Sequence, residues 1–228
     1  MNNSFVKVVG VCSILFVVIF IVTFILYSAA GVEEDPGEIE AYLQNVHNNT
    51  LYAGGYWVFV PGFLFLIPIF LGFYQAFREG GGVLWVAVAA SLVGVTLLLT
   101  SQVISLGIVR QLASGYAEAG SSSRPALEVM AKALLETTVW ADSIGLFLSL
   151  GIGVVLVSIG VLRTNVIGHW LGWVGVVIGV LEAITNPLYP VLGISSLFFT
   201  IVYSVAFIIT LVWFLIMGVF LLRLPEAA

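Results

Sequence analysis

Six stretches of this chain are each long and apolar enough to cross a lipid bilayer: roughly residues 6–30, 52–77, 83–109, 139–162, 168–189 and 192–222. A spanning helix needs about 20 such residues, because the hydrocarbon core is about 30 Å thick. With no water in that core, each stretch must pair its own backbone groups, and a helix does so. The expected fold is all-α: a six-helix transmembrane bundle forming a single transmembrane domain over residues 1–228. The first stretch ends in Ser28-Ala29-Ala30, which looks like a cleavage site. Its apolar run exceeds the roughly 7–15 residues of a signal peptide, so it reads as a retained anchor helix.

Composition excludes other classes. The chain is 61% hydrophobic and only 8% charged, against about 25% charged residues in soluble domains. It cannot cover a water-facing surface, which argues against a soluble enzyme or a disordered regulator. Seven Lys and Arg against twelve Asp and Glu leave no basic patch for nucleic acid. The single cysteine, Cys12, excludes a disulfide framework and any multi-cysteine metal site. The two histidines, His47 and His169, fall at opposite ends of the expected topology, so no shared haem or metal site is expected. No lysine lies inside a span to carry a retinal Schiff base. No cofactor and no metal are therefore expected. The triplet Asn48-Asn49-Thr50 matches a glycosylation sequon, which occurs often by chance.

Lys7, Arg78, Arg163 and Arg223 fall at one end of the spans, in short segments. Arg110, Arg124 and Lys132 fall at the other end, spread over longer loops and diluted by acids. Basic residues favour the cytoplasmic side, which places both termini inside. The first outer loop carries Asp35-Pro36-Gly37-Glu38, a capping box with proline at the first helical position. Ile39, Tyr42, Leu43 and Val46 then follow at helical spacing. This predicts a short amphipathic helix on the outer membrane surface. The second outer loop, with Gly115, Gly120 and serines at 121–123, reads as flexible. A helix from Pro125 to Leu162 would be about 57 Å long, so it must project outward or break near Thr137-Thr138.

Small residues mark where helices approach closely in lipid. In the fifth span Gly168, Gly172, Gly175 and Gly179 share one face, which continues to Glu182 and Asn186. The fourth carries a looser stripe, Thr138, Asp142, Gly145, Ser149, Gly153 and Gly160. The third offers Ala87, Ser91, Gly94, Ser101 and Ser105, with Gln102 beside them. A tight connection between the fourth and fifth spans predicts that they pair, with Ser149 level with Gly179–Glu182 and Asp142 near Asn186. Asn186-Pro187-Leu188-Tyr189-Pro190 reads as a rigid outer hairpin ending the fifth helix.

Asp142 and Glu182 are the two acids inside spans. Such a group costs about 2.5–3.5 kcal/mol at a helix centre, so neither should face lipid. Gln102, Thr185, Asn186, Ser195, Ser196, Thr200 and Tyr203 join them in the outer half, which suggests a polar pocket opening outward. Three roles stay open for the acids: structural groups, protonated or paired with Arg110; a proton or cation site, since neighbouring carboxylates perturb each other; or groups that meet water near the interface.

The order of features resembles a broad prokaryotic family of six-helix membrane proteins known as a domain of unknown function. The resemblance rests on Phe73-Tyr74-Gln75-Ala76-Phe77-Arg78, on Trp140-Ala141-Asp142-Ser143-Ile144-Gly145 running to Leu162-Arg163, and on Trp170-Leu171-Gly172. It implies the six-helix fold and assigns no residue a role. The functional expectation is a non-enzymatic protein of a prokaryotic plasma membrane, an accessory subunit of a membrane complex or a binder of lipid-like small molecules. Its expected partners are membrane lipids, other membrane subunits or a hydrophobic ligand, and no nucleic acid. The alternative is a small proton- or cation-coupled transporter using Asp142 and Glu182.

Overall fold

The computed structural model describes residues 3–32, 36–192 and 197–224. The described residues are helical with no strand, and six helices are long and apolar enough to span a membrane. They are α1 (Asn3–Ala30), α3 (Thr50–Ala76), α4 (Val83–Glu118), α5 (Arg124–Leu162), α6 (His169–Leu192) and α7 (Leu197–Arg223). A short helix, α2 (Ile39–Val46), lies between α1 and α3. Neighbours pack in the order α7, α1, α3, α4, α5, α6 and back to α7, which closes a ring.

Packing inside lipid is decided by how closely backbones approach. Gly10 of α1 and Gly218 of α7 face each other so tightly that a Cβ on either would lie 2.8–2.9 Å from the other's carbonyl oxygen. The ring centre is filled by aromatic side chains, among them Phe70 and Phe73 of α3 and Trp213 and Phe214 of α7. Trp213 donates its indole N–H to the Leu171 carbonyl of the neighbouring α6, 3.0 Å.

The other five tryptophans are exposed and fall in two belts: Trp85, Trp170 and Trp173 at one level, Trp57 and Trp140 at the other. Along α5, Trp140 to Leu162 spans about 33 Å, close to the hydrocarbon thickness. The first belt marks the basic face. There Arg163 donates to the Gly80 carbonyl, 3.3 Å, tying the α3–α4 and α5–α6 turns together. The second belt marks the loop face.

At the loop face α4 and α5 do not stop. The expected outer loop 110–132 is mostly helix: α4 runs on through a π turn at Ile108–Leu112 to Glu118, and α5 begins at Arg124. Gly115, expected in flexible coil, lies within α4. The α5 helix is unbroken at Thr137-Thr138; its irregularity is a second π turn at Phe147–Gly153. About 24 Å of α5 therefore rises beyond Trp140. The predicted amphipathic helix exists, but its apolar face does not rest on lipid. Tyr42, Leu43 and Val46 are buried against Tyr52, Tyr56, Ile108, Ala113, Tyr116, Ala131 and Leu135. This second core forms a cap outside the bilayer. Asp35 of the expected capping box lies outside the described residues.

The expected hairpin at Asn186–Pro190 is also corrected, because α6 continues through both prolines to Leu192. Each proline removes one i→i−4 hydrogen bond, and a membrane helix tolerates that when neighbours cover the freed carbonyls.

Candidate functional site

The looser small-residue stripe of α5 faces α4, not α6. Cβ atoms on Gly94 and Gly145 would each press within 2.6–2.9 Å of the other's carbonyl oxygen, and Ser91 and Leu84 stand against Gly153 and Gly160. The stripes expected on the third and fourth spans are thus two sides of one interface. The α6 glycines meet a different face of α5: Gly172 meets Leu162, Gly175 meets Ser158, and Gly179 meets Val155 and Gly151. Gly168 precedes α6, and its neighbour is Trp170. Ser149 donates to the Gly145 carbonyl, 2.7 Å, within α5. Two faces of α5 are therefore small, and each takes its own partner.

This arrangement separates the two acids. Asp142, half-buried, accepts a hydrogen bond from Ser101 of α4 at 2.5 Å. Gln102 lies alongside, its amide nitrogen 3.4 Å from the Ser101 hydroxyl and its carbonyl oxygen buried without a partner. Asp142 lies only about 3 Å along α5 from Trp140, at the loop-face boundary. The register of α5 on α6 is close to one turn off the expected one. Gly151 meets Ala183, which sets Asp142 well past the level of Asn186.

Glu182 lies elsewhere. It is about 18 Å along α6 from Trp170, near the bilayer midplane rather than in the outer half. Its exposure is 0%, so the pocket expected to open outward is closed around it. One carboxyl oxygen lies 2.8 Å from the Thr210 hydroxyl of α7, and the other accepts from the Asn186 side-chain amide at 2.8 Å. The same amide reaches the Glu182 carbonyl, 2.8 Å, and the Thr210 hydroxyl also reaches the Ala206 carbonyl, 3.0 Å. The Asn186 side-chain oxygen is buried without a partner. Pro187 and Pro190 carry no amide hydrogen, so the carbonyls of Ala183 and Asn186 lack an i+4 donor in α6. The site is rich in acceptors and poor in donors. No Lys, Arg or His occurs between His169 and Arg223, or between Lys132 and Arg163, so α6, α7 and the inner length of α5 supply no counter-ion.

A family model described as a domain of unknown function, DUF4386, matches residues 8–223. The chain belongs to this family. No curated protein and no solved structure matches it. In this DUF4386 chain the remaining candidates stand apart from Glu182. The pairing of Arg110 with the acids, one of the roles left open, is not formed: its guanidinium lies 5.8 Å from the Trp57 ring centre, at the loop-face belt. Ser195 and Ser196 lie outside the described residues. Tyr203 stacks on Tyr189 at 5.0 Å and is within electrostatic range of both Glu182 and Asp142. Thr210 went unmarked in the sequence. A threonine deep in an apolar helix carries no pattern, and only the register of α7 on α6 could reveal it.

Proposed function

We propose that this DUF4386 protein is a non-enzymatic protein of a prokaryotic plasma membrane, with both termini cytoplasmic, acting as an accessory subunit of a membrane complex. The orientation rests on the four cations gathered at the basic face. The observation that carries the subunit reading is the cap. Outside the bilayer, the projecting end of α5 exposes Val129 (71%) and Met130 (52%) on its outer side. Apolar side chains held in water on a rigid helix are what a partner's surface covers. The aromatic filling of the ring centre favours a protein partner over a lipid-like guest inside the bundle.

Isolation in mild detergent from its own membrane tests this. The wild type is expected to carry a stoichiometric partner, and Val129→Asp with Met130→Asp to lose it while keeping the wild-type helical content. A bare monomer that retains neither protein nor lipid overturns the reading.

A second reading, a proton-coupled carrier, is favoured by one observation: a carboxyl group enclosed near the midplane with no basic neighbour, where transporters place their coupling groups. Proteoliposomes that show no pH-driven flux would remove it.

A further inference from the structure

The charge and hydrogen-bond inventory around Glu182 leads to a defined ligand. A bare carboxylate near the centre of the hydrocarbon core is costly, and the sequence supplies no basic side chain along α6 or α7 to offset it. The neutralising charge must therefore come from solution. The contacts accommodate a neutral acid. A carboxylic acid has one donor oxygen and one acceptor oxygen. Here one oxygen receives the Asn186 amide at 2.8 Å, and the other faces the Thr210 hydroxyl at 2.8 Å. A hydroxyl has a single hydrogen and can also accept. With that hydrogen on the Ala206 carbonyl, 3.0 Å away, Thr210 accepts from Glu182 and every hydrogen in the chain has one acceptor.

We propose that Glu182, Asn186 and Thr210 form a proton-binding site near the bilayer midplane, at the α6–α7 contact, from which Asp142 is excluded. The same three residues also satisfy the ionised state. On release, the O–H bond of Glu182 breaks, the oxygen keeps the electron pair and the proton passes to water. Thr210 then turns its hydrogen from the Ala206 carbonyl to the carboxylate, while Asn186 continues to donate. A salt bridge would fix one charge state, whereas a hydroxyl and an amide serve both. The other titratable groups in the neighbourhood are Tyr189 on α6, Tyr203 on α7 and Asp142 on α5. The inference supplies the site on which the carrier reading depends, but it concerns equilibrium binding and does not require transport.

Infrared spectroscopy of the full chain in lipid nanodiscs at neutral pH tests it. A protonated-carboxyl band that shifts in heavy water is expected. Glu182→Gln should abolish it, and Asp142→Asn should leave it. Thr210→Val should keep the band and move it to higher frequency, because the acid loses its acceptor. Should Glu182→Gln fail to fold, Glu182→Asp is expected to retain a displaced band. The proposal is overturned if a folded Glu182→Gln keeps the band, if Glu182→Asp lacks one, or if sodium chloride at constant pH removes it. The last result assigns the site to an alkali cation. A Glu182 band without flux in proteoliposomes sustains the site and ends the carrier reading; flux without the band does the reverse.

Discussion

Two acids in one bundle have opposite surroundings. Glu182 is fully enclosed near the midplane and bonded to α6 and α7. Asp142 is half-buried beside the loop-face tryptophan belt and bonded to α4. Their depths differ by about ten helical residues, roughly 15 Å. The lesson is that the cost of an acid in a membrane helix depends on depth and enclosure, not on its being inside an apolar run. Asp142 can recruit water at the boundary. Glu182 has only its immediate neighbours and must be satisfied by them.

The comparison breaks most readily at Glu182. Glu182→Lys should leave a cation enclosed with no acidic partner and cost at least about 3 kcal/mol, measured as loss of folded protein in a detergent–denaturant titration. Asp142→Lys should cost far less, since its longer chain can reach the interface. Equal losses at the two positions would erase the distinction. Next in size is the α4–α5 contact that holds Asp142 away from Glu182. Gly145→Val forces a branched side chain against the Gly94 carbonyl and should cost about 1–3 kcal/mol. The same change at Gly115, where no atom lies within 4 Å of an added Cβ, should leave the thermal midpoint unchanged or raised.

Smaller effects sharpen the contrast. Thr210→Val removes one hydrogen-bonding group from the enclosed site and should cost about 1 kcal/mol. Ser101→Ala, at the wetter Asp142 site, should cost less. A reversed order by calorimetry would mean that Asp142 is the better-sealed group. Smallest of all, Trp57→Ala removes the ring beneath Arg110, an exposed contact of about 0.5–1 kcal/mol. A larger loss would mean that Arg110 does more than anchor at the belt.

The bundle itself was legible. Hydropathy located all six spans, and the helical recurrence of Tyr42, Leu43 and Val46 identified α2. The ends were less so. The continuation of α4 to Glu118 and of α6 through Pro187 and Pro190 contradicts local signals, glycine and serine in one case and proline in the other. Packing overrides such signals: Tyr116 is held by a hydrogen bond to Glu128 of α5, 2.9 Å, and Asn186 by Glu182. Of the expected pocket, Glu182 and Asn186 do come together, and Gln102 lies with Ser101 and Asp142. The two acids do not meet, and Arg110 meets neither. The expected pairing counted back from the α5–α6 turn, and the observed register of Gly151 on Ala183 carries Asp142 about one turn past that level.

What the sequence determined alone is what one dimension can encode. The lengths of the apolar runs set the number of helices, the basic residues grouped four at one face, and small residues marked which helix faces come close. Tertiary structure decided which face meets which. In lipid the apolar drive is nearly indifferent between one seam and another, because the tails are as apolar as the side chains. The choice falls to approaches so close that a Cβ added at Gly94 or Gly179 would lie 2.6–3.0 Å from the carbonyl oxygen of Gly145 or Gly151, and these exist only between helices. The meeting of Glu182 with Thr210, twenty-eight residues apart, is a result of that choice.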